Sequence, residues 1–116
     1  MRIRTILAFA SVAAALALGC RSLPPSKPES QFTDQERRGQ QVYNADCARC
    51  HYPTNTRSLH GPGLQAITKI KAMPSGAPPT DERITEVIVR GRGMMPATQL
   101  NDDQLNDLLA YLLNYE

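Results

Sequence analysis

Tryptophan is absent from this 116-residue chain, phenylalanine occurs twice, tyrosine four times and cysteine three times. So few large aromatic residues leave little to build a core from, and something else is expected to fill the centre of the domain. There is no block of like charge. Two of the 13 basic residues, Arg2 and Arg4, precede the one long apolar run, so the chain after them balances 11 acidic residues with 11 basic ones. That neutrality excludes a basic nucleic-acid binder and a polyacidic tail. The run from Ile6 to Leu18 has only Ser11 as a polar member. It falls short of the roughly 20 residues that span a bilayer. The length excludes a multidomain enzyme.

A basic start, a short apolar run and small residues at its end read as an export signal over residues 1–19. The run meets a cysteine in Leu16-Ala17-Leu18-Gly19-Cys20. This resembles the lipobox of bacterial lipoproteins, with the last two apolar positions in swapped order. The resemblance implies that Cys20 is lipid-modified and becomes the first mature residue, on the periplasmic side of a bacterial membrane. Residues 20–32 hold three prolines and three serines. They read as a tether that, extended at about 3.1 Å per residue, reaches roughly 40 Å. The folded domain is expected over 33–116.

Three helices are expected in that domain. Thr33-Asp34-Gln35-Glu36 has capping-box spacing and opens a helix to about Ala45. Thr80-Asp81-Glu82 opens a second, with Ile84, Val87 and Ile88 on one stripe and Gly91 as its stop. Asn101-Asp102-Asp103-Gln104 opens a third, where Leu105, Leu108, Leu109 and Leu112 follow helical periodicity. A short fourth helix is possible over 64–71. No strand alternation is present, so the class is all-α with long loops, which commonly wrap a ligand.

Cys47-Ala48-Arg49-Cys50-His51 is a C-x-x-C-H motif, the attachment pattern of c-type haem. Two cysteines three apart reach the two vinyl-bearing edges of one porphyrin, and the adjacent histidine lies under the iron to supply a neutral imidazole. Three other readings compete. A thioredoxin-like pair wants a strand before the motif, where this chain has a helix. Zinc needs four ligands, and only Cys47, Cys50, His51 and His60 are at hand. A plain disulfide would be a staple. The export signal favours haem.

The order of parts resembles a small class I cytochrome c, from about Thr33 to Tyr115. In sequence come a helix entering the haem motif, a Gly-Pro loop, a central helix, a methionine loop and a last helix. Gly39 and Tyr43 on the first helix, and Tyr111 on the last, stand where the family keeps a small residue and aromatics at a helix crossing. The resemblance implies one covalently attached haem c, wrapped by three main helices. The carbonyl of Pro62 in Gly61-Pro62-Gly63-Leu64 would accept the His51 proton. Met95, in Gly91-Arg92-Gly93-Met94-Met95-Pro96, would be the sixth ligand. Met94 is then the variable neighbour. Met73-Pro74 is a decoy before the central helix, and His60 a loop residue.

A His/Met-ligated iron transfers electrons, whereas an open one binds small molecules. The implied function is electron transfer in a respiratory chain, without enzymatic activity. A quinol-oxidising complex or dehydrogenase would be the donor, and an oxidase, reductase or other cytochrome the acceptor. The membrane is reached through the lipid, and nucleic acid is not a partner. Arg57, Lys69, Lys71, Arg90 and Arg92 are candidates for a local basic face toward an acidic partner. Two alternatives remain: a haem-based gas sensor or ligand-binding module, and a dedicated haem subunit of one redox complex.

Overall fold

A computed structural model describes residues 22–115. The export signal and Cys20 lie outside the described residues. Three α-helices run in chain order: α1, Asp34–Asp46; α2, Asp81–Arg90; and α3, Asp102–Leu112. A short 3-10 turn, Glu29–Gln31, precedes them, and no extended strand occurs among the described residues. The caps are those expected. Thr33 Oγ1 accepts from the Glu36 amide at 3.2 Å while the Glu36 carboxylate accepts from the Thr33 amide at 2.6 Å. Asn101 and Gln104 make the same reciprocal pair at 2.9 and 3.1 Å. Each box satisfies two amides that a helix start leaves without partners. Thr80 caps α2, and Gly91 ends it with a φ of 72°, a conformation that costs glycine little.

Among the described residues, only α1 and α3 pack closely on one another, and α2 does so with neither. The crossing is built on Gly39. A Cβ there would stand 1.9 Å from the Asp107 carbonyl oxygen and 2.8 Å from the Tyr111 Cβ. The helices can approach this closely only because residue 39 has no side chain. Beside the crossing, Arg38 grips Asp107 with two bonds, Nε to Oδ2 at 2.8 Å and a second guanidinium nitrogen to Oδ1 at 3.1 Å. Tyr43 and Leu108 are the most deeply buried side chains. The Tyr43 and Tyr111 rings lie 5.3 Å apart.

Two parts of the chain differ from expectation. Residues 65–69 form turns rather than a short fourth helix. Ala66 has a φ of 45°, which breaks a right-handed helix, and the Lys69 amide bonds back to the Ala66 carbonyl at 2.7 Å. Leu64 and Ala66 are buried by this folding. The second difference lies before the first helix. Phe32, placed in the expected tether, is a core residue, its ring edge-on to Tyr111 at 5.8 Å. The preceding residues follow it onto the domain. The Lys27 amide donates to the Asn114 carbonyl at 2.8 Å, Lys27 Nζ pairs with Glu36 at 2.5 Å, and Gln65 Nε2 donates to the Pro24 carbonyl at 3.0 Å. Proline content predicted stiffness here, and stiffness is compatible with lying along a surface.

Candidate haem-attachment site

The C-x-x-C-H motif continues the turn of α1. The amides of Cys47 and Ala48 both bond to the Tyr43 carbonyl, at 2.8 and 3.0 Å. Those of Cys50 and His51 both bond to the Cys47 carbonyl, at 3.0 and 3.1 Å. The Tyr43 hydroxyl donates to the His51 carbonyl, so the most buried side chain of α1 also holds the end of the motif. Burial pushes the Tyr43 phenol well above its ordinary range, which keeps it a donor. Cys50 is exposed and Cys47 half-buried. Burial pushes the Cys47 thiol up to about 11, with Asp46 and Cys50 adding to the shift. Redox-active C-x-x-C pairs depend on a lowered pKa at the attacking thiol, and the Cys47 thiol is shifted the other way. Among the described residues no group of three or more His, Cys, Asp and Glu could enclose a metal ion, which opposes the zinc reading.

The loop after the motif folds back on it. The amides of His60 and Gly61 converge on the Cys50 carbonyl at 3.2 and 2.8 Å, and the Leu64 amide reaches the Tyr52 carbonyl at 2.8 Å. This brings the Pro62 carbonyl oxygen to 2.8 Å from His51 Nδ1. A carbonyl only accepts, so Nδ1 carries a proton, and in the neutral imidazole that tautomer presents the Nε2 lone pair. Gly61 lies flat against the same ring. A Cβ there would fall 2.4 Å from Cε1 and 2.9 Å from Nδ1. Gly61 has no role of its own in the one-dimensional pattern, because nothing there tells that its missing side chain is the space the imidazole occupies. His60 turns away, its Nδ1 3.2 Å from the Arg49 carbonyl oxygen.

The methionine loop is a tight one. Arg92 and Met95 exchange both backbone hydrogen bonds, at 2.9 and 3.0 Å, around Gly93 at a φ of 59°. The loop closes onto α2 through the Thr98 amide and the Ile88 carbonyl at 2.9 Å. Adjacent methionines are thereby sent opposite ways. Met94 is 92 % exposed, whereas Met95 packs against the core. Met73 also packs there, from the loop before α2. Ile84 and Ile88 of α2, Leu64 and Ile67 of the proximal loop, Cys47, Met73 and Met95 belong to one apolar cluster. Among the described residues, the helix that carries the isoleucines has no close helical partner. Two thiols, the His51 imidazole and a core-facing thioether, set against one apolar cluster, together fit a haem.

An all-α domain with a C-x-x-C-H motif at the end of its first helix is a c-type cytochrome domain. Residues 25–112 match the family described as "Cytochrome C oxidase, cbb3-type, subunit III", and the chain belongs to this cytochrome c family. It is 32 % identical over 78 residues to cytochrome c6 of Leptolyngbya boryana, covering 66 % of this chain and 87 % of that protein. The cofactor is haem c, covalently attached, and the chemistry is haem-based electron transfer. Carriers of this family are typically not enzymes and are typically extracytoplasmic. Among the described residues no helix is long and apolar enough to cross a membrane.

Proposed function

We propose that this chain is a monohaem electron carrier of a respiratory chain, held to the periplasmic side of a bacterial membrane by lipid on Cys20. Bound haem supplies the Fe(II)/Fe(III) couple, a one-electron exchange with no bond made or broken in a substrate. Cys47 and Cys50 fix it through thioethers. His51 ligates through Nε2, and the Pro62 carbonyl, by taking the Nδ1 proton, sets the tautomer and raises the basicity of the ligating nitrogen. Met95 supplies thioether sulfur as the sixth ligand, which favours the reduced form and raises the potential. The single observation that carries this reading is the 2.8 Å contact between His51 Nδ1 and Pro62, which leaves one ring nitrogen free for iron.

The donor is a quinol-oxidising complex or dehydrogenase, and the acceptor an oxidase, reductase or second cytochrome. The description of the matching family as an oxidase subunit also supports a second reading, a haem subunit resident in one such complex. Membranes from cells making the protein test the function. A respiratory donor should reduce this haem, and the terminal acceptor should re-oxidise it within the turnover of the chain. A haem that stays oxidised under every respiratory donor contradicts the proposal. Detergent extraction separates its two forms, since a resident subunit co-purifies with the complex and a carrier does not.

A further inference from the structure

The segment expected to be a long tether is mostly docked, and this limits where the haem domain can be. The contacts start at Pro24, whose carbonyl accepts from Gln65 Nε2 at 3.0 Å. Ser26 then pairs with Tyr115 as an antiparallel bridge, and the Lys27 amide donates to Asn114. Lys27 Nζ reaches Glu36, a buried carboxylate, and Phe32 closes the strap in the core. Between Cys20 and the first of these contacts stand only residues 21–23, and Leu23 is itself half-buried. Four steps of extended chain span about 13 Å, a third of the reach of a free 20–32 segment. The 13-residue helix α1 alone is about 20 Å long. A domain held on a leash shorter than itself cannot turn its far side to the anchor.

The side that the leash holds down is defined by the same contacts. Pro24 sits on Gln65 and Ser26 on Tyr115, and the exposed Lys69 holds its ammonium 5.5 Å from the centre of the Tyr115 ring. A cation beside the attachment point complements an anionic headgroup layer. We infer that the docked strap seats the haem domain directly on the lipid surface, with the Pro24, Gln65 and Lys69 face toward anionic phospholipid headgroups. This rests on the reading of Cys20 as lipid-modified. Its consequence is that electrons are exchanged with partners that stand beside the domain in the membrane plane, not with partners reached by swinging.

The full-length protein, purified in detergent and reconstituted into phosphatidylethanolamine–phosphatidylglycerol vesicles, tests it. With Cys20 on lipid and Cys47 and Cys50 on haem, an introduced cysteine takes a nitroxide label alone. Labels go on Lys71→Cys, near the proposed contact face, and on Gln99→Cys, beyond the far end of α3. With the haem reduced, spin relaxation by a nickel-chelating lipid headgroup reports proximity to the surface. The enhancement should be at least threefold larger at position 71 than at 99. Ten Gly-Ser residues inserted between Arg21 and Ser22 should cut the value at 71 by half or more. Equal enhancement at the two sites, or no response to the insertion, overturns the seated orientation while leaving the anchor in place. An intact mass without acyl chains on residue 20 overturns the anchor itself, and the seating with it.

Discussion

His51 and Gly61 share one space: the imidazole ring lies where a side chain on residue 61 would begin, 2.4 Å from Cε1. The hydrogen bond from His51 Nδ1 to Pro62, one residue on, therefore depends on a glycine as much as on the proline. Gly61→Ala should push the ring aside and lengthen that bond. Overpacking of this kind costs about 1–3 kcal/mol. The expected result is a lowered unfolding midpoint with a changed reduction potential, because the ligating nitrogen loses basicity. Denaturant unfolding and a redox titration of the same sample check both.

The three methionines near the site should separate cleanly. Met95→Ala should leave haem attached but open the iron, lower the potential and admit carbon monoxide. Met94 is almost fully exposed, so Met94→Ala should leave stability within about 0.5 kcal/mol of the parent and the ligand band intact. Met73→Ala should keep the band and lose stability, because that side chain packs on the core. Far-red absorption of the oxidised proteins reads out all three.

Gly39→Ala sets two effects against each other. Alanine in place of glycine gains about 1 kcal/mol of helix propensity. The new Cβ would stand 1.9 Å from a backbone oxygen of α3, which can move only if the helices part. The clash should win, and thermal melting should show a net loss of stability. A stabilised variant would mean that the crossing is looser than described.

Acid should destabilise the fold through two carboxylates. The Asp107 carboxyl is held below its ordinary value, first by the bond from Arg38, against the opposing effect of burial. Burial pushes Glu36 up, but the Lys27 and Thr33 contacts together outweigh it and hold the group below its ordinary value. A carboxylate with a lowered folded pKa stabilises above its unfolded value, near 4, and that contribution is lost as pH falls through the folded value. The melting temperature should therefore be nearly flat from pH 7 to about 5 and drop below about 4. Asp107→Asn and Glu36→Gln should each flatten that acid limb.

The proposed lipid on Cys20 predicts how the protein leaves the membrane. Each buried methylene contributes about 0.8 kcal/mol, so acyl chains outlast the electrostatic contacts that salt screens. Detergent should extract the protein and high salt should not. Cys20→Ser should give a soluble haem domain with an unchanged spectrum, or an uncleaved precursor. Fractionation with quantitation of haem in each pool decides it.

The helices were legible because their signals are local. Thr33 with Glu36 and Asn101 with Gln104 stand three apart and write their own helix starts, and Gly91 writes its own stop. The C-x-x-C-H motif is local for the same reason. What escaped sequence reading depends on contacts between distant positions. Phe32 and Lys27 look like tether until Tyr111, Asn114 and Glu36 are brought against them. Leu64, Ile67 and Ile70 have helical spacing, yet Ala66 takes a left-handed conformation that buries Leu64, and spacing carries no information about φ. Gly61 is invisible for another reason: its role is to be empty, and only the imidazole filling that space reveals it.

A reduced-minus-oxidised optical spectrum of the purified protein, with haem and protein quantified on the same sample, tests the central claim most directly. The expected result is one covalently bound haem c per chain, low-spin in both states, with the weak far-red band of methionine-to-iron ligation in the oxidised form and no carbon monoxide adduct in the reduced form. A high-spin haem that binds carbon monoxide, or a folded chain that carries no covalent haem, would contradict it.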